Sequence, residues 1–155
     1  MIVAAARFVL VQIRMAIVRS PQGLVAWQLC EELGDLVVAV IATGPAARDF
    51  EFCDQIRRSA TRPGPNIAEG FGRRSPKEFA RFLEIALASL METRTHLQRG
   101  QRQNYWPPDT SRQALALCDR SLDITRKLLA SKQRQIAEDA ARKAARRGTR
   151  PPRKP

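Results

Sequence analysis

Apolar residues in this chain recur at intervals of three and four in four separate stretches, and no run alternates at period two. That interval lines up side chains on one face of an α-helix, so the chain is constrained to helices that must cover one another. The first stretch spans residues 24–42, with Ala26, Leu29, Leu33, Leu36 and Val40 on one face and Gln28, Glu31, Glu32 and Asp35 opposite. Gly44-Pro45 ends it, because proline brings no amide donor and restricts the residue before it. The second begins near Asp49, carries Phe52, Ile56 and Ala60, and meets Pro63-Gly64-Pro65, where a break or kink is expected before a short resumption through Asn66–Glu69. Gly70 suits the left-handed residue that closes a helix.

The third helix has the clearest start. Ser75 is placed to cap, Pro76 to take the first helical position and Glu78 to complete a capping box; Phe79, Phe82, Leu83, Ala86, Leu90 and Leu97 carry the stripe to about Gly100. After QRQNYWPPD, with Asp109, Thr110 or Ser111 as the next cap, the fourth stripe runs through Leu115, Cys118, Leu122, Thr125 and Leu129. Past Ala130 the stripe thins, but Glu138–Arg142 and Asp139–Lys143 are favourable i,i+4 pairs. They predict a solvated rod toward Arg147 ending at Gly148, followed by a disordered tail. The fold class is therefore all-α, an antiparallel up-and-down four-helix bundle over residues 23–131, with an N-terminal extension (1–22) and a basic C-terminal extension (132–155).

The 155-residue chain has a formal net charge of +12, and that charge sits at the ends. Residues 1–20 carry a net +3, residues 21–130 only +2, and residues 131–155 +7. A near-neutral body with a basic tail reads as an appended electrostatic arm or as a solubilising tail, and both readings stand at this point. The first twenty residues are apolar, but Arg7 and Arg14 interrupt them, so neither a membrane span nor a signal peptide fits. An amphipathic helix on a partner or membrane surface, or a true start at Met15, remain the two readings of that segment. The expected location is cytoplasmic.

Candidate chemistry is sparse. Arg57 and Arg58 are adjacent, about 100° apart on a helix, so one is available for phosphate while the other pairs with a neighbouring acid or is solvated. Arg73 and Arg74 stand beside the start of the third helix, where exposed amides and the helix dipole favour an anion. Lys132, Arg134, Arg142, Lys143, Arg146 and Arg147 supply the arm. Asn66 and Glu69 share a helical face and are read as fixing the kinked segment, not as a catalytic pair. Cys30, Cys53, Cys118 and His96 have the composition of a Cys3His zinc site but none of its close ligand pairs. The cysteines are read as small hydrophobes and His96 as a helix-surface residue, so no metal, cofactor or catalytic residue is expected. Phe79 and Phe82 are core by spacing, and Trp27 is partly buried. Phe71, Tyr105 and Trp106 fall in turns or loops, either stacking on unpaired bases or, as is preferred for an oligomer, capping the bundle ends or filling a subunit interface.

The residues LVAWQLCEEL, DQIRRSA and NIAEGFGRRSPKEFARFLEIALASLMET stand in the order and spacing of one family. From about Leu24 to Leu129 the chain resembles the 23S rRNA-intervening-sequence proteins, a group that includes accessory variability proteins of diversity-generating retroelements. NIAEG with Gly72-Arg73 carries the likeness, supported by Trp27-Gln28, Arg57-Arg58, Asn66, Glu69 and Gly70. The resemblance implies a non-catalytic four-helix bundle that forms homo-oligomers, with pentamers as the expected form. For the retroelement branch it implies binding of RNA or DNA together with a reverse transcriptase. The chain departs from the family pattern at Arg62-Pro63-Gly64-Pro65 and at Ala86-Leu87-Ala88-Ser89, where the family carries an additional arginine. The competing reading is a protein–protein interaction module with no nucleic-acid ligand.

Overall fold

In the computed structural model, residues 18–148 are described, and among them the secondary structure is entirely helical. A short 3-10 turn, Pro21–Gly23, leads into α1 (Val25–Ile41), and a second, Pro45–Arg48, leads into α2 (Phe50–Thr61). Then follow α3 (Pro63–Gly72), α4 (Pro76–Arg102) and α5 (Pro108–Gly148). α2 and α3 together form one bent rod. That rod packs on α1 and α4, while α5 packs on α4 and α1, which closes the four-helix bundle read from the sequence.

Each helix contributes its stripe to a single core. Leu33 and Val37 of α1, Phe52 and Ile56 of α2, Ile67 of α3, Leu83 and Leu90 of α4 and Cys118 of α5 are 0–1% exposed. Two buried hydroxyls bond to backbone carbonyls, Thr93 Oγ1 donating to Ser89 O (2.8 Å) and Ser121 Oγ to Leu117 O (2.8 Å), with Leu29 O of α1 at 3.2 Å, whereas those of Ser111 and Thr125 have no hydrogen-bond partner among the described residues. Phe82 is only half-buried, a correction to its reading as core.

The break expected near Pro63-Gly64-Pro65 is present as the bend at Arg62, and α3 opens at Pro63, ahead of the expected resumption at Asn66, because a first-turn proline gives up an amide that has no intrahelical partner anyway. Three local expectations are corrected. Gly70 is not left-handed; it lies inside α3, and its lack of a side chain serves a close approach to α4. Ser75 does take the N-cap position of α4 in extended conformation, yet its side chain makes no capping bond, so the capping box is not formed. The last helix starts at Pro108, ahead of the expected caps, and Ser111 is buried within it with its amide on Pro107 O (3.1 Å). Asp49, by contrast, caps α2 as its position suggests, accepting from the Phe52 amide at 3.0 Å.

α5 is continuous over 41 residues, about 60 Å at 1.5 Å per residue. The solvated rod beyond Ala130 is therefore present, exposed along most of its length. The N-terminal apolar segment and the tail after Gly148 lie outside the described residues.

Candidate nucleic-acid interface

The bundle has two chemically different ends. At one, the α4–α5 connection folds back on the start of α2. Asn104 adopts a left-handed conformation (φ 53°), and the Tyr105 amide donates to Gly100 O at 3.0 Å. The Trp106 ring then lies against Gly100 and is 7% exposed. The Tyr105 hydroxyl donates to Asp49 Oδ2 at 2.5 Å, and both rings surround Phe52 with centroids 4.9 and 6.0 Å away. Tyr105 and Trp106 thus pack as an end cap, Trp106 buried and Tyr105 half-buried. His96 is half-buried, 6.0 Å from the Phe52 ring, which corrects its reading as a surface residue. A mostly apolar cavity of about 450 Å³ opens here between Val40, Gly44, Pro45, Tyr105, Trp106 and Pro107.

The other end is basic. The turn after α3 projects Arg73 and Arg74, and α5 runs past it, so Lys132 enters from the opposite wall. These three side chains line one cavity of about 160 Å³ with Phe71, Phe79 and Gln135. Arg73 pairs with Glu69 and lies over the Phe82 ring, 5.6 Å from its centroid. Lys132 Nζ sits 5.3 Å over the Phe79 ring and donates to Gln135 Oε1 at 3.4 Å. Arg74 is exposed and has no partner among the described residues. A second cavity of about 300 Å³ shares Ser75 and Pro76 with the first and is lined by Lys77 and Lys143, with Asp139 as its acid. Between the two lies the start of α4, which has no side-chain cap and carries Glu78 in its first turn.

The structure therefore joins four of the sequence candidates, Arg73, Arg74, Lys132 and Lys143, and adds Lys77, which the sequence reading missed. The signal for this meeting was present. Arg74 and Ile136 are equidistant from Tyr105 at the hairpin's apex, so an antiparallel pair of helices must bring their neighbourhoods together. The remaining candidates stand apart. Arg57 and Arg58 lie on α2, roughly 20 Å down the bent rod from Arg73. Arg58 forms a two-point pair with Asp54 (Nη2–Oδ2 2.8 Å, Nε–Oδ1 3.1 Å), while Arg57 is exposed. Arg134, Arg142 and Arg146 are exposed on α5, and Arg147 is its penultimate residue. Asn66 Nδ2 donates to Arg62 O at 2.8 Å, as its structural reading requires; Glu69 instead holds Arg73. Trp27 is half-buried against the core, and Phe71 ends α3 edge-on to Phe79 (6.2 Å, 89°), not in a loop.

Nucleophilic chemistry is unfavourable at the cysteines. Burial pushes the Cys30 and Cys118 thiols up to about 12 and raises that of Cys53. Cys53 Sγ donates to Ala46 O at 3.1 Å, and Cys118 Sγ to Leu90 O at 3.5 Å. Among the described residues no three His, Cys, Asp or Glu side chains group as metal ligands. Nor is any helix among them long and apolar enough to cross a membrane.

Fold and surface together define a four-helix bundle with one capped, apolar end and one cationic end. The family description "23S rRNA-intervening sequence protein" matches residues 22–128, and the chain belongs to that family. Among solved structures it is similar to a protein of the S23 ribosomal protein family from Bacteroides thetaiotaomicron. The two are 21% identical with a TM-score of 0.62, and the match covers 68% of this chain and 98% of the other. At that identity the likeness concerns the fold. No curated protein matches.

Proposed function

We propose that this protein is a non-catalytic, homo-oligomeric scaffold that binds RNA or DNA electrostatically through its cationic end. The observation that carries the reading is the convergence of Arg73, Arg74 and Lys132 on one cavity, with Lys77 and Lys143 on the next. Arg73, Arg74 and Lys77 of the near-neutral body and Lys132 and Lys143 of the basic extension, with arm residues Arg134, Arg142 and Arg146 on the same helix, form a track for phosphates. Assembly multiplies that track, and the resemblance to the intervening-sequence proteins points to a pentamer; a reverse transcriptase is the partner implied for the retroelement branch. The non-catalytic part is supported by the buried thiols and by the tie of Tyr105 to Asp49.

The test is binding of the full chain to single-stranded RNA and to duplex DNA across a salt series, with light scattering for the assembly. Affinity should fall log-linearly with salt, and Arg74→Ala/Lys132→Ala/Lys143→Ala should flatten the slope by about 0.7–0.9 per lost phosphate contact. Affinity indifferent to salt refutes the nucleic-acid reading, and a scattering mass of one 17.4 kDa chain refutes the assembly. Phe50, 82% exposed at the start of α2, favours the second reading, a protein-interaction module. A protein partner retained after nuclease treatment, with no nucleic acid bound, would select it.

A further inference from the structure

We infer that the cavity between Arg73, Arg74 and Lys132 takes the terminal phosphate of a nucleic-acid strand in preference to an internal phosphodiester. This rests on the nucleic-acid reading above and specifies which part of the ligand the cavity holds.

Size comes first. At about 160 Å³ the cavity is well below the roughly 300 Å³ at which pockets for drug-sized ligands begin. It suits a phosphate group without its nucleoside. Its walls come from three sides: Phe71 at the end of α3, Pro76 and Phe79 at the start of α4, and Lys132 and Gln135 of α5. The site opens to solvent on its outer side, so the attached sugar stays outside while the phosphate enters.

Charge makes the selection between a strand end and an internal diester. Arg73, Arg74 and Lys132 bring three positive charges, and Glu69 neutralises the one on Arg73. Two remain, one of them on Arg74, which no protein group engages among the described residues. A terminal phosphate carries about −1.5 to −2 at neutral pH and matches that surplus. A diester, with a single negative charge, leaves half of it uncompensated. The guanidinium of Arg74 is suited to two-point contact with a phosphate face, and Lys132, held over Phe79, acts as the point charge opposite.

Three single-stranded oligonucleotides of one sequence, with hydroxyls at both ends, a 5′-phosphate or a 3′-phosphate, are titrated with the full chain at one salt concentration. At least one phosphorylated form should bind on the order of tenfold tighter than the hydroxyl form, the worth of one to two charge-assisted hydrogen bonds. Arg74→Ala and Lys132→Ala should each remove that advantage, leaving phosphorylated and hydroxyl strands with equal affinity for the variant, and Arg58→Ala should keep it. Inorganic phosphate at matched ionic strength should compete away the advantage and nothing more. Equal affinity for all three strands overturns the terminal-phosphate assignment and leaves the nucleic-acid reading intact. An advantage that survives both substitutions overturns the location, and no binding to any strand overturns both inferences.

Discussion

Gly70→Ala and Gly72→Ala, two residues apart in one helix, should change stability in opposite directions. On propensity alone both gain, since alanine is favoured over glycine inside a helix by about 1 kcal/mol. Neither glycine has a positive φ, so backbone strain does not separate them. Space does. A Cβ built on Gly70 would stand 2.6 Å from Phe79 Cδ2 and 2.8 Å from Phe82 Cβ, whereas one on Gly72 meets nothing within 4 Å. Carbon atoms settle at about 3.5–4.0 Å, so the Gly70 contact overlaps by roughly 1 Å. Phe79 is 6% exposed, with Phe71 at its edge and Lys132 above it, so its one open side is the basic cavity. Phe82 Cβ moves only if α4 moves.

Overpacking of this kind costs about 1–3 kcal/mol. Set against the propensity gain, Gly70→Ala should lose about 1 kcal/mol net and lower Tm by about 3–5 °C, while Gly72→Ala should gain about 0.5 kcal/mol. Urea denaturation followed by far-ultraviolet circular dichroism reads both, and an unchanged m-value confirms that the native state is what shifted. Because Phe79 is also a wall of the basic cavity, Gly70→Ala should weaken phosphate-end discrimination as well. A Gly70→Ala chain as stable as the Gly72→Ala chain would refute the packing argument.

The capped end should respond to pH through one bond. The Tyr105 hydroxyl, then the Phe52 amide, hold the Asp49 carboxyl below its ordinary 3.8, and the bond to Asp49 holds the Tyr105 phenol above 10.0. A depressed carboxyl stabilises above pH 3.8 and loses that effect as pH falls through its folded value; a raised phenol stabilises below pH 10.0 and loses it as pH rises. The Tm gap between native and Tyr105→Phe should therefore be flat across neutral pH and shrink at both extremes, and a gap that persists at both would refute the bond's role. Thiol chemistry should report burial: Ellman's reagent should label none of the three cysteines in the folded chain at mildly alkaline pH and all three in denaturant. One rapidly labelled thiol in native protein would contradict the packing of Cys30, Cys53 or Cys118.

The architecture was legible because it rests on spacing, which is local. Leu29, Leu33 and Val37, or Leu83, Leu90 and Leu97, could lie on one side only of a helix, and four such sides have one economical way to meet. Errors collected where the outcome depended on a neighbour distant in sequence. Gly70 looked like a helix terminator because its contact partners, Phe79 and Phe82, belong to the next helix. Ser75 and Glu78 have capping-box spacing, but Ser75 lies between two cavities and makes no such bond. Trp106 reads as a loop aromatic until the absence of a side chain at Gly100 is seen to make room for its ring.

The cationic site shows the same division more sharply. Net charge divided by segment separates Arg73 and Arg74, in a body of +2, from Lys132 and Lys143, in a tail of +7. That division suggests a tail working alone. The hairpin of α4 and α5 cancels it, since α5 continues past its core-forming half and lies alongside the α3–α4 turn. Had α5 ended with its apolar stripe near Leu129, Arg73 and Arg74 would face solvent beside Phe71 with no opposite wall, and no cavity would form. The helical extension therefore has a structural consequence separable from its charge. A Lys132→Gln/Lys143→Gln chain keeps the wall and loses two charges, so it should retain Tm and lose phosphate affinity. A helix-breaking Lys132→Pro removes an amide donor within α5 and should lose both, at a cost of about 3 kcal/mol. If the glutamine variant instead loses stability and keeps affinity, the extension packs for the fold and its cations do no binding.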